Sequence, residues 1–442
     1  MSSYLYLFGK VSTLMFLVII FLYLAEKRPN KYLLVVLVYF SITSSTAPMF
    51  DFKLGTNLSG FNLYPVDLFT ITSLFAATFG SRLAFNEKPQ RMSRFPKKII
   101  SFYFIGIAVG VVSWSLFYGL KTGVNSWREV LLSISLLNYG VQKRYQWSLK
   151  ELRVLLIYPG LILAAITLIR FIQIGIGHSN GVDPLTGEIL DRATSALGGF
   201  ILLIAWLGAF YLLPSNSFYR ILIMIFLGVE ILLLQQRTVW VATVVASACM
   251  MLFRNGDFIK FQKRAFRVVG LSSIFFTVWL ASRRIDRIAN AANDQNTFDW
   301  RTNRWLESLK TTRSAHEWLF GSIFGPSPVT NLSVNTQVHF SHSAYVNQIE
   351  YLGLLGLVIL FFLLGSSYFN LTKKTPLGNL GRILTISAII FGITYQVPVV
   401  FFVLIPIILN IQFTQEIRGS SIDSKNPSNK VSHKITRENM DA

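Results

Sequence analysis

The sequence has very little cysteine and little charge for its length. Cys249 is the only cysteine in 442 residues, so the chain can form no internal disulfide bond and no cysteine-based metal site. Charged residues make up 14% of the chain, whereas soluble domains carry about 25% because their surfaces must stay hydrated. The chain also lacks a G-x-x-x-x-G-K phosphate loop, an H-E-x-x-H motif and a repeat of fixed period. These absences exclude a disulfide-rich scaffold and argue against an ordinary soluble enzyme.

Hydrophobic residues, by contrast, make up 52% of the chain and are concentrated in long apolar runs. A helix that crosses roughly 30 Å of hydrocarbon needs about 20 such residues. We therefore predict an all-α, polytopic integral membrane bundle of twelve or thirteen transmembrane helices, several of them short. The first run lacks a basic leading segment and a cleavage site, so we expect it to be retained. The runs are 5–25, 32–50, 63–80, 99–119, 124–141, 154–172, 194–213, 219–235, 238–253, 266–281, 344–365, 382–396 and 398–414.

The net charge of +20 indicates the orientation of these spans. Most Lys and Arg residues fall in every second loop and in the C-terminal tail. Because cytoplasmic loops are enriched in Lys and Arg, these segments are predicted to be cytoplasmic. With thirteen spans, the N-terminus lies outside and the C-terminus inside. The excess charge then serves orientation and does not indicate a nucleic-acid partner.

Four regions follow from this topology. Residues 1–281 hold the first ten spans, 282–343 form one large outward loop, 344–414 hold the last three spans, and 415–442 form a disordered cytoplasmic tail. The large loop contains Trp300, Trp305 and Trp318, a composition too apolar for disorder. We expect it to fold as short helices that cap the outer side of the bundle.

Ionisable residues within or beside spans are costly in a membrane and so are candidates for function. Asp67 begins the third span, Glu230 lies in the eighth, Arg237 occupies a tight outward turn, and Glu350 lies early in the eleventh. Asp67 could instead cap its helix, and Glu230 could serve packing alone. For Arg237 we favour function, because a positive charge in an outward turn opposes the orientation rule.

A histidine stands where the large loop returns to the membrane. His342 is followed by Gly353 and Gly356, at spacings of eleven and fourteen residues, within a leucine-rich run. The glycines alone would indicate close helix packing, and the histidine an interfacial side chain. Together, however, the pattern resembles the signature of the O-antigen ligase and Wzy-type polysaccharide polymerase superfamily.

Three further motifs strengthen this resemblance between about residues 221 and 361. Arg237 stands in the outward turn where the family keeps an arginine. The run Arg301-Thr302-Asn303-Arg304-Trp305 is similar to its Arg-x-x-x-Trp motif, and Trp318-Leu319-Phe320-Gly321 to the glycine-containing stretch that follows. Ser343 departs from the asparagine that often follows the family's histidine.

The resemblance implies a GT-C-like membrane glycosyltransferase with one large folded periplasmic loop. Its donor would be a glycan on undecaprenyl diphosphate, and its acceptor a lipid-linked repeat unit or the lipid A core. The chain would lie in the bacterial inner membrane, with its active site facing the periplasm. Partners would be the bilayer and a chain-length regulator or flippase, but no nucleic acid. We expect no cofactor and no metal ion, since no Asp-x-Asp or carboxylate cluster is present.

Site roles follow from this chemistry. Arginines stabilise a diphosphate leaving group without giving up a proton, and a neutral histidine can accept the proton of an attacking hydroxyl. We assign catalysis to His342, Arg237 and Arg301; a hydrogen bond from His342 to the diphosphate is the alternative role. Direct attack would invert the anomeric carbon. The predicted substrate-binding residues are Arg304, Trp305, His339, Glu350, Glu230 and Asp67.

Several functions fit these motifs. We favour a polymerase that joins repeat units over a ligase that transfers finished glycan to lipid A core, and a protein O-glycosyltransferase uses the same chemistry. A lipid or solute transporter is the alternative from another class. Transporters often contain paired broken helices near the membrane midplane, and the sequence has no such pair.

The proposed base gives a direct prediction. Changing His342→Ala should abolish glycan transfer while leaving binding of the lipid donor mostly intact, because the imidazole would act on the acceptor hydroxyl. Turnover and donor affinity are measured on the same purified variant. Full activity would contradict the general-base assignment.

Overall fold

The computed structural model of the chain is almost entirely helical. It describes residues 2–46, 57–58, 61–78, 97–143, 145–174, 181–182, 189–190, 194–214, 217–234, 236–253, 296–310, 313–324, 343–372 and 375–425. The helices in these ranges are α1 Ser2–Lys27, α2 Pro29–Thr46, α3 Pro65–Thr78, α4 Lys97–Tyr118, α5 Leu120–Gln142, α6 Leu149–Ile174, α7 Ala196–Leu212, α8 Phe218–Leu233, α9 Arg237–Leu252, α10 Asn296–Lys310, α11 Ala315–Phe320, α12 Ala344–Phe369, α13 Pro376–Thr394 and α14 Val399–Lys425. The prediction of a helical fold is thus confirmed for the described residues.

Two small hairpins were not expected from the sequence. Strand β1 (Asn57–Leu58) pairs antiparallel with β2 (Phe61–Asn62), and β3 (Gly181–Val182) with β4 (Ile189–Leu190). Both lie in segments that connect successive helices. Strand pairing satisfies backbone N–H and C=O groups that a connecting segment would otherwise leave to solvent.

Most predicted spans coincide with a helix, although the ends differ. The run 266–281 lies outside the described residues. Helix α14 continues past residue 414 to Lys425, so the first part of the predicted disordered tail is helical. That stretch has no proline, and helical hydrogen bonds within the backbone need no apolar surroundings to continue. Two helices, α10 and α11, lie within the segment 282–343.

Within the part of the chain that the structure describes, four helices are long and apolar enough to cross a membrane by length and composition. They comprise Lys98–Tyr118, Leu149–Ile172, Ala344–Phe369 and Pro376–Thr394. These helices also expose large apolar side chains, such as Leu116 at 81% exposure, together with Ile172 and Val358. A monomeric soluble protein rarely exposes so much apolar surface. The chain therefore has the features of a helical membrane protein.

Polar contacts tie the helix ends together at two opposite ends of the bundle. At one, the Tyr139 hydroxyl donates to the carbonyl of Ala25 at 2.6 Å, and Asn30 Nδ2 donates to Glu151 Oε1 at 2.9 Å. We call this the Tyr145 end, after the tyrosine whose hydroxyl also donates to Glu151. Helices α1 and α5 end there, and α2 and α6 begin there.

The other end joins the opposite termini of the helices. The Ser195 N–H, just before α7, donates to the carbonyl of Ser44 near the end of α2 at 2.8 Å. The hydroxyls of Thr238 at the start of α9 and Thr394 at the end of α13 lie 2.6 Å apart. We call this the Tyr395 end, after the residue that follows α13. Successive helices thus alternate in direction, and α7 lies centrally, in contact with α2, α6, α8, α9 and α13.

Helix α12 is broken by a glycine where α11 packs against it. Gly353 has φ 65° and ψ −166°, a conformation essentially restricted to glycine. A Cβ there would lie 2.3 Å from the carbonyl oxygen of Leu319, at the end of α11. Gly321 also has a positive φ, and a Cβ on it would lie 2.5 Å from the Gly353 nitrogen. The two glycine motifs of the sequence therefore pack backbone against backbone.

This contact predicts a large difference between two glycines of α12. Gly353→Ala should lower the free energy of unfolding by about 1–3 kcal/mol through its backbone angles alone, which are unfavourable for alanine. Overlap of the new methyl group with Leu319 should lower it further. Gly365→Ala is the control, since its nearest added contact is Phe369 at an ordinary 3.9 Å. Thermal unfolding of both variants in detergent measures the effect. Equal midpoints would contradict the close packing of α11 on α12.

Candidate active site

Arg237 is the first residue of α9, in the short turn that follows α8. The preceding residue, Gln236, is buried and anchors the turn, since its Nε2 donates to the carbonyl of Thr194 at 2.5 Å. Thr194 in turn donates through its hydroxyl to the carbonyl of Ser44 at 2.6 Å. The half-buried Arg237 therefore projects from a turn that is fixed on both sides at the Tyr395 end.

Arg301 lies in the first half of α10 and contacts Tyr395. Its Nη2 donates to the tyrosine hydroxyl at 3.2 Å, and its guanidinium carbon lies 4.9 Å from the ring centroid. The Arg301 Nε is buried and has no hydrogen-bond partner among the described residues. This guanidinium is held by one aromatic side chain and retains a donor for an additional acceptor.

The start of α12 contacts the same tyrosine. The N–H of Ala344 donates to the carbonyl of Tyr395 at 2.8 Å. Ser343 is the N-cap of α12, and its hydroxyl does not cap the helix. His342 and His339 lie outside the described residues. His342 precedes Ser343 in the chain, so it is attached directly to the segment that Tyr395 holds.

Three predicted elements therefore meet at the end of α13. Thr394 contacts the residue after Arg237, the Tyr395 hydroxyl contacts Arg301, and the Tyr395 carbonyl contacts the start of α12. The Tyr395 ring stacks on Phe391 with centroids 5.1 Å apart, which places it against α13. One cationic side chain, Arg301, is thus attached to this pair of neighbouring residues, as are the residue after Arg237 and the residue two positions after His342.

Glu350 contributes to packing of the loop helices. Its carboxylate accepts from the Ser308 hydroxyl of α10 at 2.5 Å, and its carbonyl accepts from the Ser322 N–H after α11 at 3.1 Å. The Arg313 guanidinium donates to the Ser308 carbonyl at 3.0 Å and lies over the Trp318 ring. Burial lowers the pKa of Arg313, an effect that the carboxylates of Glu350 and Glu317 oppose. Glu350 thus holds α10 and α11 on α12.

Asp67 is paired within the bundle. One carboxylate oxygen accepts from the Tyr64 N–H at 2.9 Å, so Asp67 caps α3. The other accepts from Arg128 Nε of α5 at 2.8 Å, and the Arg128 guanidinium lies over the Tyr64 ring. Both charged residues are buried. These contacts favour the capping role that the sequence allowed as an alternative to substrate binding.

The remaining predicted residues are less closely connected to the Tyr395 end. Glu230 is buried and accepts from the Thr167 hydroxyl of α6 at 2.9 Å, which ties α8 to α6. Trp305 is half-buried on α10, and Arg304 is the residue before it. The carboxylates of Asp67, Glu230 and Glu350 accept hydrogen bonds from Arg128, Thr167 and Ser308, respectively.

Two residues of these clusters, Arg128 and Tyr395, are not among the candidates that the sequence motifs identify. Arg128 lies within the predicted span 124–141, where the cost of charge in a membrane would have marked it as a candidate. Tyr395 carries only a weak signal, because tyrosine is common at the ends of spans. Its contact with Arg301, 94 residues away in the chain, is visible only in the structure.

Comparisons with known proteins add no assignment: no protein-family model matches the chain, and no curated protein matches it significantly. The geometry itself indicates what the site can do. Two arginines at one end of an apolar bundle can bind an anionic group at the surface of a membrane.

The Asp67–Arg128 pair yields a test of structural against binding roles. Asp67→Asn should destabilise the protein by about 3–5 kcal/mol, because it leaves a buried guanidinium without its counter-charge. The double variant Asp67→Asn/Arg128→Met should recover much of this loss. Thermal unfolding in detergent measures stability, and binding of undecaprenyl diphosphate is measured on the folded fraction. Normal stability with weakened binding would instead support a substrate-binding role for Asp67.

Proposed function

We propose that the chain is a membrane glycosyltransferase that polymerises oligosaccharide repeat units carried on undecaprenyl diphosphate. The observation that supports this most strongly is the meeting of the Arg237 turn, Arg301 and the start of α12 at Thr394 and Tyr395. The same segments resemble the polymerase and ligase superfamily, and this resemblance suggests that the reaction at these residues is glycan transfer from undecaprenyl diphosphate. Arginines and a histidine are the groups that such a transfer needs.

The reaction would proceed by direct displacement. The acceptor hydroxyl attacks the anomeric carbon, the bond to the diphosphate oxygen breaks, and the configuration is inverted. His342 takes the hydroxyl proton, and the leaving diphosphate keeps the electron pair of the broken bond. Arg237 and Arg301 stabilise the negative charge that develops on it through charge-assisted hydrogen bonds. Metal independence stays a prediction of this scheme.

The Tyr395 end would face the periplasm of a bacterial inner membrane. Its opposite, the Tyr145 end, carries basic residues such as Arg28, Lys31 and Lys143, as expected of a cytoplasmic side. In this orientation the segment 282–343 forms the periplasmic loop, and α10 and α11 cover the reaction site. Twelve or thirteen spans in a GT-C-like arrangement would complete the bundle. Apolar surface between the spans would let the lipid donor approach laterally.

Transfer with a defined substrate tests the function. Purified protein is incubated with an undecaprenyl-diphosphate-linked oligosaccharide, and the products are separated by size. A ladder of longer chains is expected for the polymerase. Transfer only to added lipid A core would instead identify a ligase. Unchanged substrate across a panel of glycans would contradict glycosyl transfer and favour a transporter.

The arginine roles predict a specific loss of affinity. Arg237→Ala should weaken binding of undecaprenyl diphosphate roughly tenfold to a hundredfold, the range that corresponds to losing about 1.5–3 kcal/mol from hydrogen bonds to a charged group. Lys121→Ala is the matched control, because it removes an exposed positive charge at the same end of the bundle. Titration of each purified variant gives the dissociation constants. Equal affinity for both variants would remove Arg237 from the site.

A further inference from the structure

Tyr395 contacts both Arg301 on α10 and the start of α12, two elements that are far apart in the sequence. Its hydroxyl accepts a hydrogen bond from Arg301, while its carbonyl accepts one from Ala344, two residues after His342. These contacts come from opposite parts of one residue. A shift of this residue would therefore displace Arg301 relative to the start of α12.

The surroundings of Tyr395 hold it in place. Tyr395 follows the last turn of α13, where its N–H donates to the carbonyl of Phe391 at 3.1 Å. Its ring stacks on Phe391 at an interplanar angle of 25°, and Phe391 packs against Phe200 of the central helix α7. The preceding residue, Thr394, contacts Thr238 beside Arg237. The tyrosine is thus supported by the core of the bundle.

The guanidinium of Arg301 depends on Tyr395 for its position within the described part of the chain. Among the described residues, its guanidinium donates a hydrogen bond to the Tyr395 hydroxyl, and the same tyrosine ring provides a cation–π contact. An arginine side chain loses considerable rotamer freedom when it is fixed for binding. A partner that fixes the guanidinium in advance reduces this cost when an anion binds.

We propose that Tyr395 is a positioning residue that orients Arg301 toward the donor diphosphate beside the start of α12. This inference rests on the proposed function, because it assigns Tyr395 an effect on the same anion. Tyr395 acts through Arg301 and does not itself exchange a proton. The carbonyl contact to Ala344 sets the distance between the arginine and the segment that follows His342.

Variants of two tyrosines test this role. Tyr395→Phe keeps the ring on Phe391 and the backbone carbonyl, but removes the hydroxyl that Arg301 contacts. Tyr345→Phe is the matched control, because its hydroxyl donates to the Ile389 carbonyl of the same helix, α13, at 2.7 Å and contacts no arginine in the described structure. With undecaprenyl diphosphate as the probe, Tyr395→Phe should weaken binding roughly tenfold, whereas Tyr345→Phe should leave it unchanged.

A double-mutant cycle distinguishes positioning from a general structural effect. If Tyr395 acts through Arg301, adding Tyr395→Phe to Arg301→Ala should weaken binding no further than Arg301→Ala alone. Additive losses, or unchanged affinity in Tyr395→Phe, would overturn the inference while leaving the proposed function intact. Failure of the unchanged chain to bind undecaprenyl diphosphate would overturn the proposed function, and this inference with it.

Discussion

Hydrocarbon offers no hydrogen-bond partner to a backbone N–H or C=O group, so a chain that crosses it must satisfy these groups internally. The described helices meet that constraint through hydrogen bonds within their own backbones, and two irregular positions next to α12 are covered by protein. The break at Gly353 is filled by the end of α11. The end of α13 is joined to the start of α12 through the Tyr395 carbonyl. Polar side chains can therefore collect at one end of the bundle without exposing unsatisfied backbone to lipid.

The charged residues of the bundle divide into two groups by what they contact. Asp67 and Arg128 neutralise each other between α3 and α5, and Glu350 fixes α10 through Ser308. Such contacts shape the bundle and its loop helices. Arg301, in contrast, is held by an aromatic ring and a hydroxyl, neither of which cancels its charge. Among the described residues no carboxylate pairs with Arg301, so its charge is available to an anionic ligand, and this distinction underlies the proposed binding of a diphosphate.

The sequence predicts the helices well because an apolar run of sufficient length has few alternatives in a membrane. It also places Arg237 among the candidates, since charge near a span is costly and so stands out, whereas Arg301 is a candidate only through the resemblance of its Arg-x-x-x-Trp motif. It does not predict the partners. Arg301 and Tyr395 are 94 residues apart in the chain, and Asp67 and Arg128 are 61 apart. Contacts at such separations depend on how helices pack, which local composition does not encode. The sequence does not predict the positive φ of Gly353 either, because this angle occurs where the backbone contacts the end of α11, a contact that depends on packing.

The central claim is that the donor diphosphate binds where the Arg237 turn, Arg301 and the start of α12 meet. Photoaffinity labelling tests it most directly, with an undecaprenyl diphosphate analogue that carries a diazirine beside the phosphates and with peptide mapping of the labelled chain. We expect labels on the first turns of α9, α10 and α12 and on the residues at the end of α13, and we expect unmodified undecaprenyl diphosphate to compete with the labelling. Competable labels confined to the Tyr145 end of the bundle would contradict it.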